Sequence, residues 1–530
     1  MGHIWPVKPS FKHWRTTRSA AAPPTIAIDR GDNSWRVSCI AVQIIAVRES
    51  EPDYREHMND LAYLSATETL QLFRDKELSP LELLDALIVH IEQCEPSINA
   101  VVDRRYEAAR IEAAASADRY SRNESLPLDG LPVAAKEEHP MRGRLWQQGS
   151  YTLVDEVAQV DHPVIERIQQ AGGIIHIRTA TPEFCCAGFC HTTLWGTTRN
   201  PWNTQFSPGG SSGGTGAALA AGYAPIGTGS DIGGSIRIPA SLSGVVGFKP
   251  PFGRVPAMPP YNLDQYCHDG PMARTIADVA LLENVIAGPH PLDQAALREP
   301  MRVPMVAEGA AGLRVALCVN LGDWPVDADV ETNTRNAARA LQSQGVDVHE
   351  VELPWTIEKI WLAAQTHFAT IMGSGVAAVV ADHADVLNDY TIAFAETMAS
   401  SLSFYEGLEL EGELWEPLGR VFEQFDALLC PTMAIDGYVA GDPYLDGPLA
   451  VGSGSVSHHI HGAMTLPFNI FSRCPVLSVP SGRAANGVPT GVQIVGRTYD
   501  DITTFRVAAA LERALTETGV GFSSPRWRPS

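Results

Sequence analysis

The sequence has no paired-cysteine framework, no long apolar run and no surplus of positive charge. Its nine cysteines are scattered, with only Cys185, Cys186 and Cys190 close together. An odd number without a spacing pattern in a long chain points away from a disulfide scaffold and toward a reducing compartment. The same three have no second ligand pair at CxxC or HxxxH spacing, so packed thiols are expected there and no metal site. The longest apolar stretch near the start, Cys39 to Val47, is interrupted by Gln43 and lacks a small-residue cleavage site. Neither a membrane span nor secretion is expected, and a cytoplasmic location is. Lys+Arg number 39 against Asp+Glu 61, a formal net charge of -22. With no Lys/Arg cluster in the globular part, a nucleic-acid partner is not expected.

What is present is a globular, loop-rich composition: 45% hydrophobic and 19% charged residues, with 45 Gly and 38 Pro in 530, neither disordered nor fibrous. The first 57 residues differ from the rest, carrying Pro6, Pro9, Pro23 and Pro24 and no sustained periodicity. They are expected to form an irregular N-terminal extension, and 58–530 one continuous domain. Ser65 and Glu68 form a capping-box pair, and Ser79, Pro80 and Glu82 mark a second helix start. Leu83, Leu84, Leu87, Ile88 and Ile91 recur at helical spacing as a buried stripe, with Pro96 expected to help end that helix. Short apolar runs then alternate with helical stretches: Leu131 to Ala135, Gly173 to Ile177, Ala224 to Gly227, Leu313 to Val319, Ala427 to Leu429, Val476 to Val479 and Gly491 to Val495. That alternation predicts an α/β fold, a mixed sheet covered by helices on both faces, with a helical cap-like segment at about 355–424.

The chemistry is concentrated between Ser207 and Pro250. Two Gly/Ser runs lie there, Gly209 to Gly214 opening a small-residue helix and Gly229 to Ser235 following a short apolar strand. Successive backbone N–H groups in such runs can converge on one anionic point, as acyl transfer requires. A glycine run alone is as readily a turn or linker. The second run, GSDIGGSIRIPA, shifts that balance, because it resembles the amidase signature family closely.

The resemblance continues through Leu131 to Lys136, Thr181 to Phe184, Asn200 to Trp202, Gly247 to Pro250, Gly253 to Val255, Gly270 to Thr275, Asp426 to Thr432 and Pro467 to Asn469. It covers about residues 59 to 515 and implies a serine amidohydrolase cleaving a C–N bond through an acyl-enzyme. Carried over by motif, Lys136 is the base, Ser211 the relay serine and Ser235 the nucleophile. The resemblance also implies a cis peptide between Gly210 and Ser211. The oxyanion hole is expected from the backbone N–H groups of Ile232, Gly233, Gly234 and Ser235, with Ser212, Asp231 and Arg237 as supporting residues. No metal or organic cofactor is implied. Since an unperturbed lysine is only about 0.1% neutral at pH 7.4, burial at a strand end is expected to lower the pKa of Lys136. Three departures stand out: Ser230 where threonine is common, Glu137 where aspartate is frequent, and Pro251 where threonine often follows Lys-Pro.

Rival readings remain open on the sequence. Gly210 to Gly214 also fits GxSxG with Ser212 as nucleophile, and His458, His459 and His461 lie late in the chain. A nucleophile elbow needs a strand before that serine, and Asn200 to Pro208 reads as loop. A non-enzymatic nucleotide-binding module would use the glycine runs for phosphate, but neither run is followed by Gly-Lys-Ser/Thr. A tRNA-dependent amidotransferase subunit resembles the same family and would need a partner chain. The expected substrate is a small amide-like molecule, with anilides, carbamates and esters open, and a homodimer is admitted. Phe184, Phe189, Tyr261, Tyr266 and Trp415 are candidates for an apolar pocket, although ordinary core is the commoner fate of such residues.

Overall fold

A computed structural model describes residues 60–299, 301–399 and 402–517; the extension expected over 1–57 lies outside them. The helix Ala66–Asp75 begins at the expected reciprocal box, Ser65 accepting the Glu68 amide while the Glu68 carboxylate takes the Ser65 N–H at 3.0 Å. The helix Pro80–Ile98 follows Ser79, whose hydroxyl accepts the Glu82 amide. Pro96 does not end it. So close to the C-terminus a proline removes just one helical hydrogen bond, and the chain runs on to Asn99, which turns left-handed at φ 56°.

The strands are, in chain order, β1 (Val101–Arg104), β2 (Pro132–Lys136), β3 (Ile174–Thr179), β4 (His191–Thr192), β5 (Gly196–Thr197), β6 (Ile226–Asp231), β7 (Val246–Lys249), β8 (His268–Ala273), β9 (Arg314–Leu317), β10 (Asp347–Glu350), β11 (Ala427–Pro431), β12 (Leu449–Val451), β13 (Gly454–Val456), β14 (Val476–Arg483) and β15 (Pro489–Gly496). Eleven of them form one mixed sheet in the order β1-β3-β2-β6-β8-β7-β14-β15-β11-β9-β10, while β4-β5 and β12-β13 are small ribbons. Parallel trios, β3-β2-β6 and β10-β9-β11, flank an antiparallel centre. β2, β3, β11 and β15 are buried along their whole length, which explains their largely apolar runs, and β6 is equally buried with small and polar residues.

Helices cover both faces of this α/β sheet. Side chains alternate along a strand, and β15 shows both sides. A Cβ on Gly491 would meet Ser241 of the helix Arg237–Ser243, whereas one on Gly496 would meet Thr504 of the helix Asp501–Glu517. The helix Gly213–Ala220 can lie close to the sheet because its residues are small: a Cβ on Gly227 of β6 would sit 2.6 Å from Thr215. Between β10 and β11 the chain is helical over Ile357–Thr370, Met372–His383, Asp389–Thr397 and Phe404–Phe422. Among the described residues no helix is long and apolar enough to cross a membrane.

Candidate active site

Lys136 is the last residue of β2, fully buried, its own N–H held by the Thr228 hydroxyl of the neighbouring β6 at 3.0 Å. Its Nζ lies 2.8 Å from the Ser211 hydroxyl and 2.8 Å from that of Ser230. Ser211 sits just before the helix Gly213–Ala220, after a cis Gly210–Ser211 peptide. A Cβ on Gly210 would be 2.3 Å from the Phe189 carbonyl oxygen, so a glycine is needed there. The next residue, Ser212, donates its N–H to the Ser235 carbonyl at 3.1 Å, tying the first glycine run to the second. Lys136 and Ser211 are thus in direct contact, and Ser235 is joined to them through the backbone.

The loop from Ile232 to Ser235 is braced from below. Asp231 accepts from the Gly234 amide at 2.8 Å and the Ile236 amide at 3.2 Å, and its carboxylate pairs with Arg237 at 2.8 Å. Arg237 also reaches the Thr465 carbonyl, Gln493 and Asn469, all without solvent access. Burial works against the Asp231 carboxylate, but Arg237 and Asn469 hold it well below the ordinary range. The supporting roles expected of Asp231 and Arg237 therefore have a geometry. Because the Gly234 N–H is spent on Asp231, the four expected oxyanion donors reduce to Ile232, Gly233 and Ser235, whose amides no described protein acceptor takes. Gly234 has φ 126°, and a Cβ there would collide with Thr465 Oγ1 at 2.1 Å; that hydroxyl in turn donates to the Gly233 carbonyl at 2.7 Å. Thr465 escapes sequence reasoning, since an isolated threonine carries no motif signal.

Glu138 escapes it too. Its Oε2 lies 2.7 Å from Lys136 Nζ and accepts from Ser230 Oγ at 2.5 Å. Glu138 lies in the turn that follows β2, where strand alternation no longer assigns a side, so no sequence signal marked it. Its presence corrects one expectation. Burial does push the Lys136 ammonium toward neutrality, but Cys185, where it is ionised to the thiolate, and the Glu138 carboxylate outweigh it, so the lysine is raised above its ordinary range. The Glu138 carboxyl, against its own burial, is held down to about 2 by Lys136 and His139. Glu137 turns away, its carboxylate accepting the Gln147 and Gln148 amides at 2.6 and 3.0 Å.

His139, His162 and Asp269 form the one grouping of potential metal ligands among the described residues. His162 Nδ1 accepts the Val164 amide at 3.2 Å, which places its proton on Nε2, facing Asp269 at 3.4 Å. That nitrogen then has no lone pair for a metal. His139 Nε2 meets the other Asp269 oxygen at 2.8 Å, and its Nδ1 the Thr228 hydroxyl at 3.0 Å, so the cluster is satisfied as an imidazole–carboxylate clamp.

The GxSxG alternative loses its geometry. The chain from 201 to 212 forms no strand, and the Ser212 hydroxyl is occupied by the Ser230 backbone, at 3.4 Å to its carbonyl and 3.3 Å from its amide. His458 and His461 pack against Trp361, and His459 against Phe189. Of the five aromatic candidates, Phe189 and Tyr266 are fully buried, the latter stacked on His367 at 3.7 Å, and Trp415 packs on Phe471. Phe368 and Leu466, by contrast, lie 3.7 Å from where a Gly233 side chain would begin.

A family model described as Amidase matches residues 82–505. The chain is 33% identical over 484 residues to a glutamyl-tRNA(Gln) amidotransferase subunit of Synechococcus sp. (strain CC9605), spanning 84% of this chain and 95% of that protein. It is 32% identical over 473 residues to an acylamidase of Rhodococcus erythropolis, spanning 86% and 96%. Among solved structures, a bacterial aryl acylamidase of the amidase signature enzymes superposes with a TM-score of 0.82 at 30% identity, over 88% of this chain and 99% of that one.

Proposed function

Because the chain belongs to the amidase signature family and is an amide C–N hydrolase, we propose that it cleaves a small amide-like substrate with Ser235 as nucleophile, Ser211 as relay and Lys136 as base. The observation that carries this reading is the 2.8 Å contact of Lys136 Nζ with the Ser211 hydroxyl, in a segment whose next amide bonds to Ser235. Once neutral, Lys136 takes the Ser211 proton while Ser211 takes that of Ser235, and Ser235 Oγ forms a bond to the carbonyl carbon. The oxyanion is received by the Ile232, Gly233 and Ser235 amides, a donor of this kind being worth about 3 kcal/mol. The proton returns along the same path to the nitrogen as the C–N bond breaks, and water repeats the sequence on the acyl-enzyme. Phe368, Leu466 and Ile232 favour an apolar acyl or aryl group beside Gly233.

Anilides, primary amides and aryl carbamates assayed with wild type and Ser235→Ala test the reading: wild type turns over at least one class, and the variant none beyond background. Full activity in Ser235→Ala would end it. The amidotransferase relative supports a second reading, in which the chain works with a partner; hydrolysis of a simple amide by the purified chain alone decides for a free-standing amidase.

A further inference from the structure

Lys136 Nζ has three oxygen neighbours, the hydroxyls of Ser211 and Ser230 at 2.8 Å each and the Glu138 carboxylate at 2.7 Å. An ammonium has three N–H donors and no lone pair, so this surrounding fits the protonated lysine. In that state Ser211 accepts from Lys136 and cannot hand it a proton. Of the three neighbours only Glu138 carries charge.

The carboxylate is held there by its backbone. Trp146 Nε1 donates to the Glu138 carbonyl at 2.7 Å, Arg178 donates to the carbonyls of Glu137 and His139, and the His139 ring is clamped between Asp269 and Thr228. Ser230, on β6, fixes the same carboxylate oxygen that Lys136 uses. We propose that Glu138 is a positioning residue that keeps Lys136 in its ammonium form in the resting site and so sets the pH above which Lys136 can accept the proton of Ser211.

The inference rests on the reading of Lys136 as the base. The other titratable groups facing the pair are neutral near pH 7 or already partnered. Burial pushes the Cys185 thiol up to about 11, raises Cys267 and Tyr261 from the loop before β8, and drives His162 down to about 4. Asp231 belongs to Arg237, Asp269 to the two imidazoles, and Glu137 to the Gln147 and Gln148 amides.

The test is the pH profile of kcat/KM on an anilide or amide that the wild type hydrolyses. Glu138→Gln keeps shape and removes charge, so the rising limb should move to lower pH, by about one to three units for loss of an opposite charge at this range. Glu138→Asp keeps the charge on a shorter arm and should give a smaller shift in the same direction, which decides the matter if the Gln variant does not fold. A limb that stays in place or moves higher in the folded variants overturns the proposal. Lys136→Ala separates the two layers: a limb that survives in it sinks the base reading itself, whereas loss of activity there with an unmoved limb in the Glu138 variants sinks only the role of Glu138.

Discussion

At the scale of single residues, the proposed mechanism makes activity turn on the lysine. Lys136 is raised above its ordinary range with Glu138 at 2.7 Å, so its neutral fraction grows as pH rises, and activity should climb through the alkaline range. Lys136→Ala should lower kcat/KM by about 10² to 10⁴ and flatten that climb. An active, pH-dependent alanine variant would contradict this. Arg237 bears on stability instead. Removing it with Arg237→Ala leaves the Asp231 carboxylate buried without its guanidinium, at a cost of about 3–5 kcal/mol. Because Asp231 is held below the ordinary carboxylate range, the contribution is present at neutral pH and lost as pH falls below that range. Denaturation of wild type and variant should therefore differ most near pH 7 and converge in acid. The motif made Lys136, Ser211 and Ser235 legible. Glu138 was not, because a carboxylate near a strand end is ordinary in sequence and becomes significant only when its side chain turns back on the lysine.

At the scale of elements, small residues set the distances. The helix Gly213–Ala220 carries Ser211 at its head and packs on β2, β3 and β6. A Cβ on Gly214 would fall 2.3 Å from the Ala180 backbone nitrogen, and backbone cannot rotate aside as a side chain can. Gly214→Ala should cost about 1–3 kcal/mol or more and lower activity as well, since the helix would move away from the sheet and take Ser211 from Lys136. A wild-type melting temperature would show that the helix has slack. Elements with long apolar runs, such as β2, β3 and β15, could be read from composition because they are buried on both faces. β8, spelled HDGPMA, carries motif residues but no strand pattern, since Gly270 and Pro271 mimic a turn; its residues nonetheless pair with β6 from His268 to Ala273. β10, DVHE, lies at the sheet edge and is largely exposed, so it lacks the apolar pattern that marks inner strands. The helices between 357 and 422 were legible as helical, but nothing in their periodicity placed Phe368 beside Gly233.

For the whole molecule, buried acids pull stability in a direction opposite to activity. Burial pushes Glu137 and Glu512 up to about 7 and Asp501 up to about 6, and raises Glu283 well above its ordinary value. A carboxyl raised in the folded state contributes stability fully below its unfolded value, and that contribution is lost as pH rises through the folded one. Together these groups should withdraw stability on the order of a few kcal/mol between about pH 5 and 8. The formal charge of -22 adds self-repulsion in the same direction. Glu138 and Asp231 are depressed and act at the other end, their contribution falling away below about pH 4. Buried histidines act against these acids: burial drives His162, His176, His458 and His461 down to about 4 and His268 down to about 3, which adds stability as pH rises toward the ordinary histidine value. A single variant isolates the acids: Glu512→Gln, which keeps an acceptor for the Ile276 amide and removes the titration, should raise the melting temperature relative to wild type more at pH 8 than at pH 5. An equal change in melting temperature at pH 5 and pH 8 would mean that Glu512 stays hydrated in the folded chain, and its opposition to activity would disappear.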